Sequence, residues 1–467
     1  MIPSDHNGDQ LSAHSIDYGK FSRFPTRDLK HIPGDSGTPV IGDTLRFLQD
    51  FHGLARHKFQ RYGPVFRVNA LFQHTIVLLG PDANEAILKD PDRCFSNTLA
   101  WNLTLDKIFP NGLMLKDFDE HKYHRRVLQA AFKRPAIESY VHAMSPQIAA
   151  GIASWPQGAA FSFHPHVKKL LLNVAASVFL GLNVTDEADR LNQSFIDAVD
   201  ATLALVKLNI PGNRWWKGQR GRAYLEQFVR GHIRAKRASD EQDIFAQVCR
   251  VRDEDNQYFS DQAIVDHLIF LLFAAHDTTT STLCSIIFAL AKNPDWQHRL
   301  REEYLDYAQE QPDLETLGKM DSTALVFREA LRMYPPLPSI PRRCIADTQV
   351  LGYSIPRNAG IGISPLFTHY MEEYWSQPYV FDPERFSPAR AEDKKHFFQY
   401  IPFGGGAHKC LGLHFAEVQA KLFLYHFLRR YEVTVEPGYE MAYSVVPMSL
   451  PTDGLPISLK LIGRQGN

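Results

Sequence analysis

The chain has 467 residues, of which 44% are hydrophobic and 22% are charged, a mixture typical of a globular protein with a large buried core. The 51 Lys and Arg residues nearly balance the 52 Asp and Glu residues, so net charge gives no reason to expect a nucleic-acid partner. Five scattered cysteines exclude the dense disulfide framework of small secreted domains and favour a reducing compartment.

Residues 1–17 are polar and contain neither a signal-like segment nor a membrane-spanning one, so we expect a cytoplasmic protein. The longest apolar runs, 170–182 and 268–275, are too short to cross a bilayer and are typical of buried helices. No linker, low-complexity run or internal repeat marks a boundary. We therefore expect residues 1–467 to form one domain, and that domain to be a monomer.

In chain order, the pattern predicts a mainly α fold of the α+β type, in which a large helical body carries small β-sheets. Helical spacing over 45–62 precedes a β-hairpin formed by 65–68 and 75–79, which Gly-Pro pairs bound. From about 83 to 333 the pattern is helical. Its segments lie near 120–133, 137–153, 165–181, 187–206, 218–237, 241–251 and 260–291. Strand candidates in the last third are 349–351, 360–363, 432–435 and 457–461.

The strongest local signal is the glycine-rich loop FGGGAHKCLG at residues 403–412, which a helical pattern over 413–431 follows directly. A thiolate at a helix N-terminus is stabilised by the backbone N–H groups around it. Glycines also let a flat macrocycle approach the backbone closely, because they carry no Cβ. Cys410 is therefore a candidate ligand or nucleophile.

Several other interpretations of this loop exist. A buried structural cysteine is the commonest fate of an isolated Cys, and a glycine-rich loop before a helix can cradle phosphate. No Lys-Ser/Thr pair and no preceding strand with a dinucleotide fingerprint supports the phosphate interpretation. Zinc held by His408, Cys410 and His414 lacks an evident fourth ligand. A Cys/His protease would leave Phe403 and the glycines unexplained.

The loop resembles the haem-binding loop of the cytochrome P450 family, FxxGx(R/H)xCxG, with Phe403, Gly406, His408, Cys410 and Gly412 in register. This resemblance implies a cytochrome P450 fold that binds haem b, with Cys410 as the proximal iron ligand. It also implies that Phe403 packs beside the sulfur and that His408 contacts a haem propionate.

A second motif couples a helix to a downstream turn. Glu329 and Arg332 stand at i,i+3, where a carboxylate and a guanidinium can form a bidentate pair. The pair resembles the family's ExxR motif, and Arg385 in Pro383-Glu-Arg-Phe386 matches its third member. The resemblance implies a buried network that braces the haem loop without taking part in catalysis.

A third motif lies in the apolar segment 260–291, where Asp277, Thr278 and Thr279 follow one another. Buried polar groups of this kind are costly unless they are hydrogen-bonded, and a Thr run satisfied within a core helix is the alternative to a functional role. The segment resembles the family's (A/G)GxDT(T/S) motif, which implies that Asp277 connects to solvent and that Thr278 delivers protons to bound oxygen. Ala275 replaces the usual glycine and narrows the space over the haem.

Two further sets of residues resemble those that contact the haem propionates in the family. His121 and Arg125 match its W/HxxxR motif, although a solvated basic helix face is the alternative for these residues. After the proline-rich segment 335–338, Arg343 is expected to be the second contact, with Arg342 as the competing candidate.

The resemblance implies a haem-thiolate monooxygenase that hydroxylates or otherwise oxidises a lipophilic small molecule with O2. Because the 467 residues contain no flavin-binding module, we expect electrons from a ferredoxin or flavodoxin with its reductase. The basic residues of the expected docking face, which are also consistent with ordinary surface charge, are Lys122, Arg126, Lys133 and Lys409.

Two alternatives keep the haem. One is a peroxygenase, isomerase or dehydratase working without a reductase, and the other is a non-catalytic haem sensor. The presence of both Asp277 and Thr278 argues against each of them.

Positions that line the pocket in related enzymes are nearly all apolar here, which favours a lipophilic substrate. They are Trp101, Leu103, Leu105, Phe109, Leu113, Leu115, Leu205, Phe273, Ala274, Leu337, Ile340 and Met448.

The segment IPGNRWWKG at 210–218 resembles the substrate-entrance loop of the branch with sterol demethylases and retinoic acid hydroxylases. We therefore expect a terpenoid, retinoid-like or sterol-like substrate. Trp215 and Trp216 beside basic residues also suit shallow membrane contact, with a loop packed on its own protein as the alternative.

Overall fold

The computed structural model describes residues 16–105, 107–156, 158–181, 186–204, 206–253, 256–307, 309–446 and 448–462. The helices of these ranges are α1 (Thr44–Gln49), α2 (Phe51–Tyr62), α3 (Pro81–Lys89), α4 (Thr98–Leu105), α5 (Phe118–Leu128), α6 (Arg134–Ala153), α7 (Phe163–Leu180), α8 (Asp186–Thr202), α9 (Arg214–Ala238), α10 (Ile244–Arg250), α11 (Asp261–Lys292), α12 (Pro294–Leu305), α13 (Leu314–Gly318), α14 (Asp321–Met333), α15 (Pro365–Thr368) and α16 (Leu413–Leu428). The strands are β1 (Val65–Ala70), β2 (Gln73–Leu78), β3 (Phe95–Ser96), β4 (Gly158–Ser162), β5 (Ile340–Cys344), β6 (Thr348–Val350), β7 (Tyr353–Ile355), β8 (Gly360–Ile363), β9 (Tyr431–Thr434), β10 (Tyr443–Ser444), β11 (Leu450–Pro451) and β12 (Pro456–Leu461). The predicted α+β fold, a helical body with small sheets, is confirmed.

The largest sheet has the order β1-β2-β8-β5-β3 and carries the predicted hairpin at one edge. Its β2 and β8 strands pair in parallel, whereas β5 runs antiparallel to both β8 and β3. A second sheet has the order β4-β12-β9. Two-stranded ribbons formed by β6 with β7 and by β10 with β11 complete the β-structure of the described ranges.

The long helix α11 passes through the main core, and most of its side chains are buried. The Ser260 hydroxyl caps its N-terminus by accepting a hydrogen bond from the Ala263 N–H at 3.2 Å. Helices α7, α9, α14 and α16 pack against it. Among the helices of the described ranges, none combines the length and the hydropathy that spanning a bilayer requires.

The structure differs from the predicted elements in several places. The helix predicted over 45–62 is divided at Asp50, whose carboxylate accepts a hydrogen bond from the Gly53 N–H at 2.7 Å and starts α2 afresh. Strand β4 lies inside the stretch predicted to be helical, because its partner β12 is almost three hundred residues away and leaves no local signal.

The tryptophan pair of the segment 210–218, which resembles an entrance loop, lies instead at the beginning of a helix. The Asn213 side chain accepts a hydrogen bond from the Trp216 N–H at 2.7 Å and caps α9. Trp215 is buried in the main core, and Trp216 is half-buried. The prediction that this tryptophan pair contacts a membrane is therefore wrong for Trp215, whose indole is covered by the protein itself.

Candidate active site

The accessibility of three side chains in the middle of α11 indicates an internal cavity on one face of this helix. Ala274 is exposed and Phe273 and Thr278 are half-buried, although the helix around them is buried. The Thr278 hydroxyl donates a hydrogen bond to the Ala274 carbonyl oxygen at 2.8 Å, one turn earlier. The two residues thus share one helix face, which presents a small and a weakly polar side chain to the cavity.

The cysteine loop is shaped by its own backbone. The Cys410 N–H donates to the Phe403 carbonyl oxygen at 2.9 Å, which closes the loop. Gly406 has a φ of 60°, and a Cβ there would lie 1.8 Å from the Leu88 carbonyl oxygen, so only glycine fits. The Phe403 ring stacks on Phe327 with centroids 6.3 Å apart. The loop is therefore held against α3 on one side and α14 on the other.

Cys410 is exposed, whereas the other four cysteines are buried. Burial raises the pKa of its thiol, while the Gly412 N–H and the positive charges of Arg125 and Lys409 lower it. Burial outweighs these three contributions, so the pKa of the thiol is raised overall, and a bound metal ion would have to stabilise the thiolate.

Imidazoles and guanidinium groups meet beside the loop. The His121 and His408 rings lie 3.8 Å apart between centroids, on α5 and on the cysteine loop. Burial, followed by the charges of Arg125 and Arg342, lowers the pKa of His121 to about 4. This cluster concentrates hydrogen-bond donors and positive charge at one end of the cavity.

Arg342 is the buried cation of this cluster. It is 7% exposed, and burial lowers its pKa to about 10. Its guanidinium donates to the Pro341 carbonyl oxygen at 2.8 Å, but it forms no ion pair with any residue in the described part of the chain. The charges of Asp117 and Asp90 partly offset burial, but a buried cation without a direct ion pair is costly, so the site suits an anionic group.

The structure places Arg342, and not Arg343, next to His121 and His408. Successive side chains of a strand point to opposite faces, and β5 sends Arg343 away from the cluster. The Arg343 guanidinium donates to the Asn358 side-chain oxygen at 2.9 Å. Of the two candidates for the second propionate contact, the expected Arg343 thus lies away from His121 and His408, and the competing Arg342 lies beside them.

Glu329, Arg332 and Arg385 form a fully buried ion network. The Arg332 guanidinium donates two hydrogen bonds to the Glu329 carboxylate, at 2.7 Å and 2.8 Å. Arg385 donates to the same carboxylate at 3.1 Å through Nε. All three side chains have 0% exposure, and the Asp382 N–H adds a further bond to Glu329 at 2.9 Å. The network joins α14 to the turn at Pro383–Phe386.

Sequence analysis did not single out His369, which links this network to the cysteine loop. Its imidazole is fully buried and lies 3.1 Å from the Arg332 carbonyl oxygen through Nδ1. Its Nε2 accepts a hydrogen bond from the Ile401 N–H at 3.0 Å. The Ile401 carbonyl oxygen in turn accepts from the Gly404 N–H at 3.0 Å.

Asp277 points away from the cavity face, towards α7. Its carboxylate lies 3.0 Å from the Lys168 ammonium group and 3.1 Å from Nδ1 of His276. Burial raises the pKa of Asp277, but the His276 and Lys168 contacts outweigh burial and hold it well below its usual range. Sequence analysis did not find Lys168 or His276, because nothing local marks a lysine on one helix as the partner of an acid on another.

The predicted substrate positions differ in burial. Trp101, Leu337, Ile340 and Met448 are half-buried, as are Phe273 and Leu103, whereas Leu105, Phe109, Leu113 and Leu115 are buried in the core. Leu205 lies outside the described residues. The Ser449 N–H and hydroxyl bond the carbonyl oxygens of Pro336 and Pro335, at 3.0 Å and 2.8 Å, which holds Met448 near Leu337.

The side chains available to hold a cofactor at this site fit haem better than zinc. In the part of the chain that the structure describes, no group of three His, Cys, Asp or Glu side chains is arranged to hold a metal ion. The observed set is one exposed thiol, an unpaired buried guanidinium and a glycine whose Cβ would strike backbone. A single sulfur with cations beside it matches a porphyrin that carries an iron and two carboxylates.

Comparison with known proteins agrees with this fit. The profile of the family described as Cytochrome P450 matches residues 32–460. The chain is 34% identical over 442 residues to cytochrome P450 136 of Mycobacterium tuberculosis, covering 93% of this chain and 90% of that protein. It is 28% identical over 454 residues to taxane 10-beta-hydroxylase of Taxus cuspidata, covering 92% and 90%. Cyanobacterial CYP120A1 with bound retinoic acid is similar in structure, with a TM-score of 0.82 and 28% identity over 92% of this chain and 99% of that chain.

The fold and the site around the Cys410 thiol define a haem-binding oxidoreductase. The chain belongs to the cytochrome P450 family. The predicted haem b cofactor and the predicted monooxygenase class are confirmed with it. The family acts on lipophilic molecules with O2 and electrons from an external redox partner.

Proposed function

We propose that the protein is a haem-thiolate monooxygenase in which Cys410 is the proximal iron ligand. The observation that carries this proposal is that Cys410 and Arg342 border one side-chain cluster, since the Cys410 thiol lies near Arg125 while Arg125 and the buried Arg342 guanidinium both lie near His121 and His408. Haem supplies the activation of O2 when it is bound. The remaining chemistry belongs to side chains of this chain.

Four side chains would hold the two haem carboxylates. Arg342 and Arg125 supply positive charge, while His121 and His408 supply ring nitrogens beside it. The Glu329, Arg332 and Arg385 network fixes the backbone from which the cysteine loop departs. Ala274 of α11, a small and exposed residue, would leave room beside a bound haem. Thr278 presents a hydroxyl that can hold a proton there, and Asp277 is the acid that supplies it.

We place the electron donor, a ferredoxin or flavodoxin with its reductase, on the cysteine side. Lys122, Arg126, Lys133 and Lys409 are all exposed there, on α5, after it and in the cysteine loop. A positive face of this kind attracts an acidic carrier and speeds its association.

The substrate class that we infer is terpenoid, retinoid-like or sterol-like. A mainly apolar cavity face formed by Phe273, Ala274, Leu337 and Met448 suits a hydrocarbon skeleton with few polar groups. The names of two similar proteins, a taxane hydroxylase and a retinoic acid-bound cyanobacterial protein, support a substrate of that kind.

We also propose that a lipid surface delivers this substrate, through apolar side chains other than the tryptophan pair. Val206, Leu208 and Ile210 are 56%, 62% and 52% exposed, and Val40 and Phe72 are 89% and 71% exposed. The Leu71 N–H donates to the Thr44 hydroxyl at 3.0 Å, which joins the β1–β2 turn to α1.

The two apolar segments flank one opening. The Lys207 ammonium group donates to the Leu103 carbonyl oxygen at 3.1 Å, and Leu103 shares a cavity of about 200 Å³ with Leu71 and Phe47. The exposed cations beside the two segments are Arg46, Arg214 and Lys217. Exposed apolar side chains with cations beside them suit shallow contact with an anionic membrane.

We further propose that residues 1–467 act as one monomeric P450 domain in the cytoplasm. The main core cluster joins residues from Leu105 to Leu459, which supports a single unit. Cys94, Cys249, Cys284, Cys344 and Cys410 are all free thiols, as a reducing compartment predicts.

The absorption of the reduced, carbon monoxide-treated protein tests the thiolate assignment. We expect the strongly red-shifted band of sulfur ligation in the wild type and in Cys94→Ala, and its loss in Cys410→Ser with porphyrin retained. A fully haem-loaded wild type without that band would overturn the proposal. Turnover with a ferredoxin system but not with peroxide alone would separate the monooxygenase from the peroxygenase alternative.

A further inference from the structure

A buried carboxylate lies near the beginning of α11, away from the residues that the proposed function uses. Asp266 is 1% exposed, and its carboxylate accepts hydrogen bonds from the side-chain amides of Asn111 at 3.2 Å and of Gln262 at 3.1 Å. It also forms an ion pair with Arg222 of α9. This carboxylate therefore joins α11 to a second helix and to the chain segment before α5.

Arg222 connects three parts of the fold through its guanidinium group. One of its amino groups donates to Asp266, and the other donates to the Ile108 carbonyl oxygen at 3.3 Å. The residue is buried, with 7% exposure. A guanidinium carries its donors in a rigid planar fork, so it can bind a carboxylate and a carbonyl oxygen at the same time. Helix α9, helix α11 and the loop of residues 108–112 thus meet at one side chain.

The loop of residues 108–112 packs closely against α11. A Cβ on Gly112 would lie 2.3 Å from the Phe270 ring, so the loop approaches the helix as closely as a glycine allows. The Phe109 ring stacks on Phe273, with centroids 4.4 Å apart and 26° between the ring planes. Because residues 266, 270 and 273 stand at i, i+4 and i+7, the loop lies along one side of α11.

The Phe109–Phe273 stack reaches the edge of the cavity. Phe109 is fully buried, Phe273 is half-buried, and the next residue, Ala274, is exposed. Phe109 covers one face of the Phe273 ring and holds this ring in place beside the small Ala274 side chain. A ring that is held in a stack cannot move aside for a broad ligand, whereas a ring without a stacking partner can.

We propose that Arg222 is a positioning residue that sets the width of the substrate pocket. Arg222 and Asp266 form a clamp that holds the loop against α11, and the clamped loop holds Phe109 against Phe273. The pocket therefore favours slender hydrocarbon skeletons over broad ones beside the middle of α11. Arg222 acts only through the loop. The proposal rests on the proposed function, because it takes the cavity on α11 to be the substrate pocket.

The affinities for two azoles test the effect on pocket width. Imidazole and clotrimazole both bind haem iron through a ring nitrogen, but only clotrimazole carries a broad triaryl group. In the haem-loaded protein, Arg222→Met should raise the affinity for clotrimazole relative to imidazole roughly tenfold, a factor typical of coupled neighbours. The control Arg230→Met, which changes an exposed arginine of the same helix, should leave this ratio unchanged. A wild-type ratio in Arg222→Met would overturn the proposal.

A double-variant cycle separates this role from a general loosening of the fold. Phe273→Ala removes the ring through which the clamp acts on the pocket. Adding Arg222→Met to Phe273→Ala should therefore leave the azole ratio of the single variant unchanged. General loosening would change the ratio by the same factor with and without the Phe273 ring. That result would overturn the proposal.

Asn111→Gly weakens the clamp without leaving a buried carboxylate unpaired. Asn111 has a φ of 55°, which glycine adopts freely, and the ion pair of Arg222 with Asp266 stays intact. We expect faster hydrogen exchange of the main-chain N–H groups of residues 108–113 in Asn111→Gly and in Arg222→Met. We also expect an azole ratio in Asn111→Gly that shifts in the same direction as in Arg222→Met.

Hydrogen exchange reports on the loop without using the chemistry of the haem. Wild-type exchange of residues 108–113 in both variants would overturn the clamp. Loss of the sulfur-ligated absorption in the wild type would instead reject the proposed function, and the exchange measurement would still decide whether Arg222 holds the loop.

Discussion

The main-chain N–H of Ile401 donates a hydrogen bond to Nε2 of His369 at 3.0 Å. Because Nε2 accepts, the hydrogen of this buried imidazole is on Nδ1, which donates to the Arg332 carbonyl oxygen. Burial lowers the pKa of His369 to about 3, so the ring stays neutral. One histidine thus connects the Glu329 network to the approach of the cysteine loop.

We expect His369→Leu to weaken the geometry of the thiolate loop. The Ile401 N–H loses its acceptor, and a buried unsatisfied donor costs about 1–3 kcal/mol. The red-shifted band of the reduced carbon monoxide complex should convert to the unshifted form at lower temperature than in the wild type. His142→Leu, which changes an exposed histidine, is the control. Equal thermal stability of the band in both variants would argue against the bridge.

Arg342→Met should weaken haem retention more than Arg343→Met. Arg342 is the unpaired guanidinium beside His121 and His408, whereas Arg343 is bonded to Asn358. Loss of a charge-assisted contact costs about 1.5–3 kcal/mol, or roughly 10- to 100-fold in affinity. Transfer of haem to an excess of apomyoglobin measures this difference. Faster loss from Arg343→Met would reverse the assignment.

Thr278→Ala should retain haem and bind substrate but release reducing equivalents as hydrogen peroxide. The hydroxyl is the polar group of α11 that shares the cavity face with Ala274, so its removal leaves the delivered proton unsupported. Peroxide formed per NADPH consumed gives the measurement. The substitution Thr282→Ala, one turn further along the same helix, is the matched control. Tightly coupled product formation in Thr278→Ala would contradict the role.

Acid should destabilise the protein in part through Glu392. Burial raises the pKa of this carboxyl group, but hydrogen bonds from Arg390 and Ser376 and the charge of Arg385 outweigh burial and lower it to about 2, from 4.5. A lowered pKa in the folded state stabilises the protein above pH 4.5, and this contribution is lost as pH falls towards 2. The difference in melting temperature between the wild type and Glu392→Gln should therefore shrink over that range. A difference that is independent of pH would rule out the carboxylate as its source.

Aspartate in place of the exposed apolar side chains should weaken binding to anionic vesicles. Leu208 and Phe72 are each expected to bury part of their surface in lipid, and a fully buried side chain of this size contributes about 1.5–3 kcal/mol. Co-sedimentation with phosphatidylglycerol vesicles should fall roughly tenfold or more for Leu208→Asp and for Phe72→Asp. The control Phe397→Asp removes an 85% exposed ring from a different surface and should leave co-sedimentation unchanged. Equal losses in all three variants would indicate charge repulsion alone.

Helices and strands whose apolar residues recur at a regular spacing were predictable from the sequence. The α11 helix and the β1–β2 hairpin carry apolar spacing of 3.6 or 2 over enough residues to be recognised. Strand β4 was missed because its partner is β12, and pairing at that separation leaves no trace in five residues. The Trp215 side chain was misplaced because the Asn213 cap turned a supposed loop into a helix.

The site residues also fall into two groups, those that stand in local motifs and those that act through contacts between distant elements. Cys410, Glu329 and Thr278 stand in motifs whose spacing is local, so their positions could be read directly. The choice between Arg342 and Arg343 needed the face of β5, which was not among the strands predicted from the sequence. Lys168 and His369 act through contacts between distant elements, and no pattern along the chain contains that information.

The contact between Gly406 and Leu88 involves main-chain atoms on the α3 side. Residue 88 can therefore change its side chain while still presenting the same carbonyl oxygen, whereas residue 406 has no alternative to glycine. In a library that randomises both positions and selects for holoprotein, diversity should survive at 88 and collapse at 406. Such a library would also show how far α3 can shift before the haem pocket stops assembling.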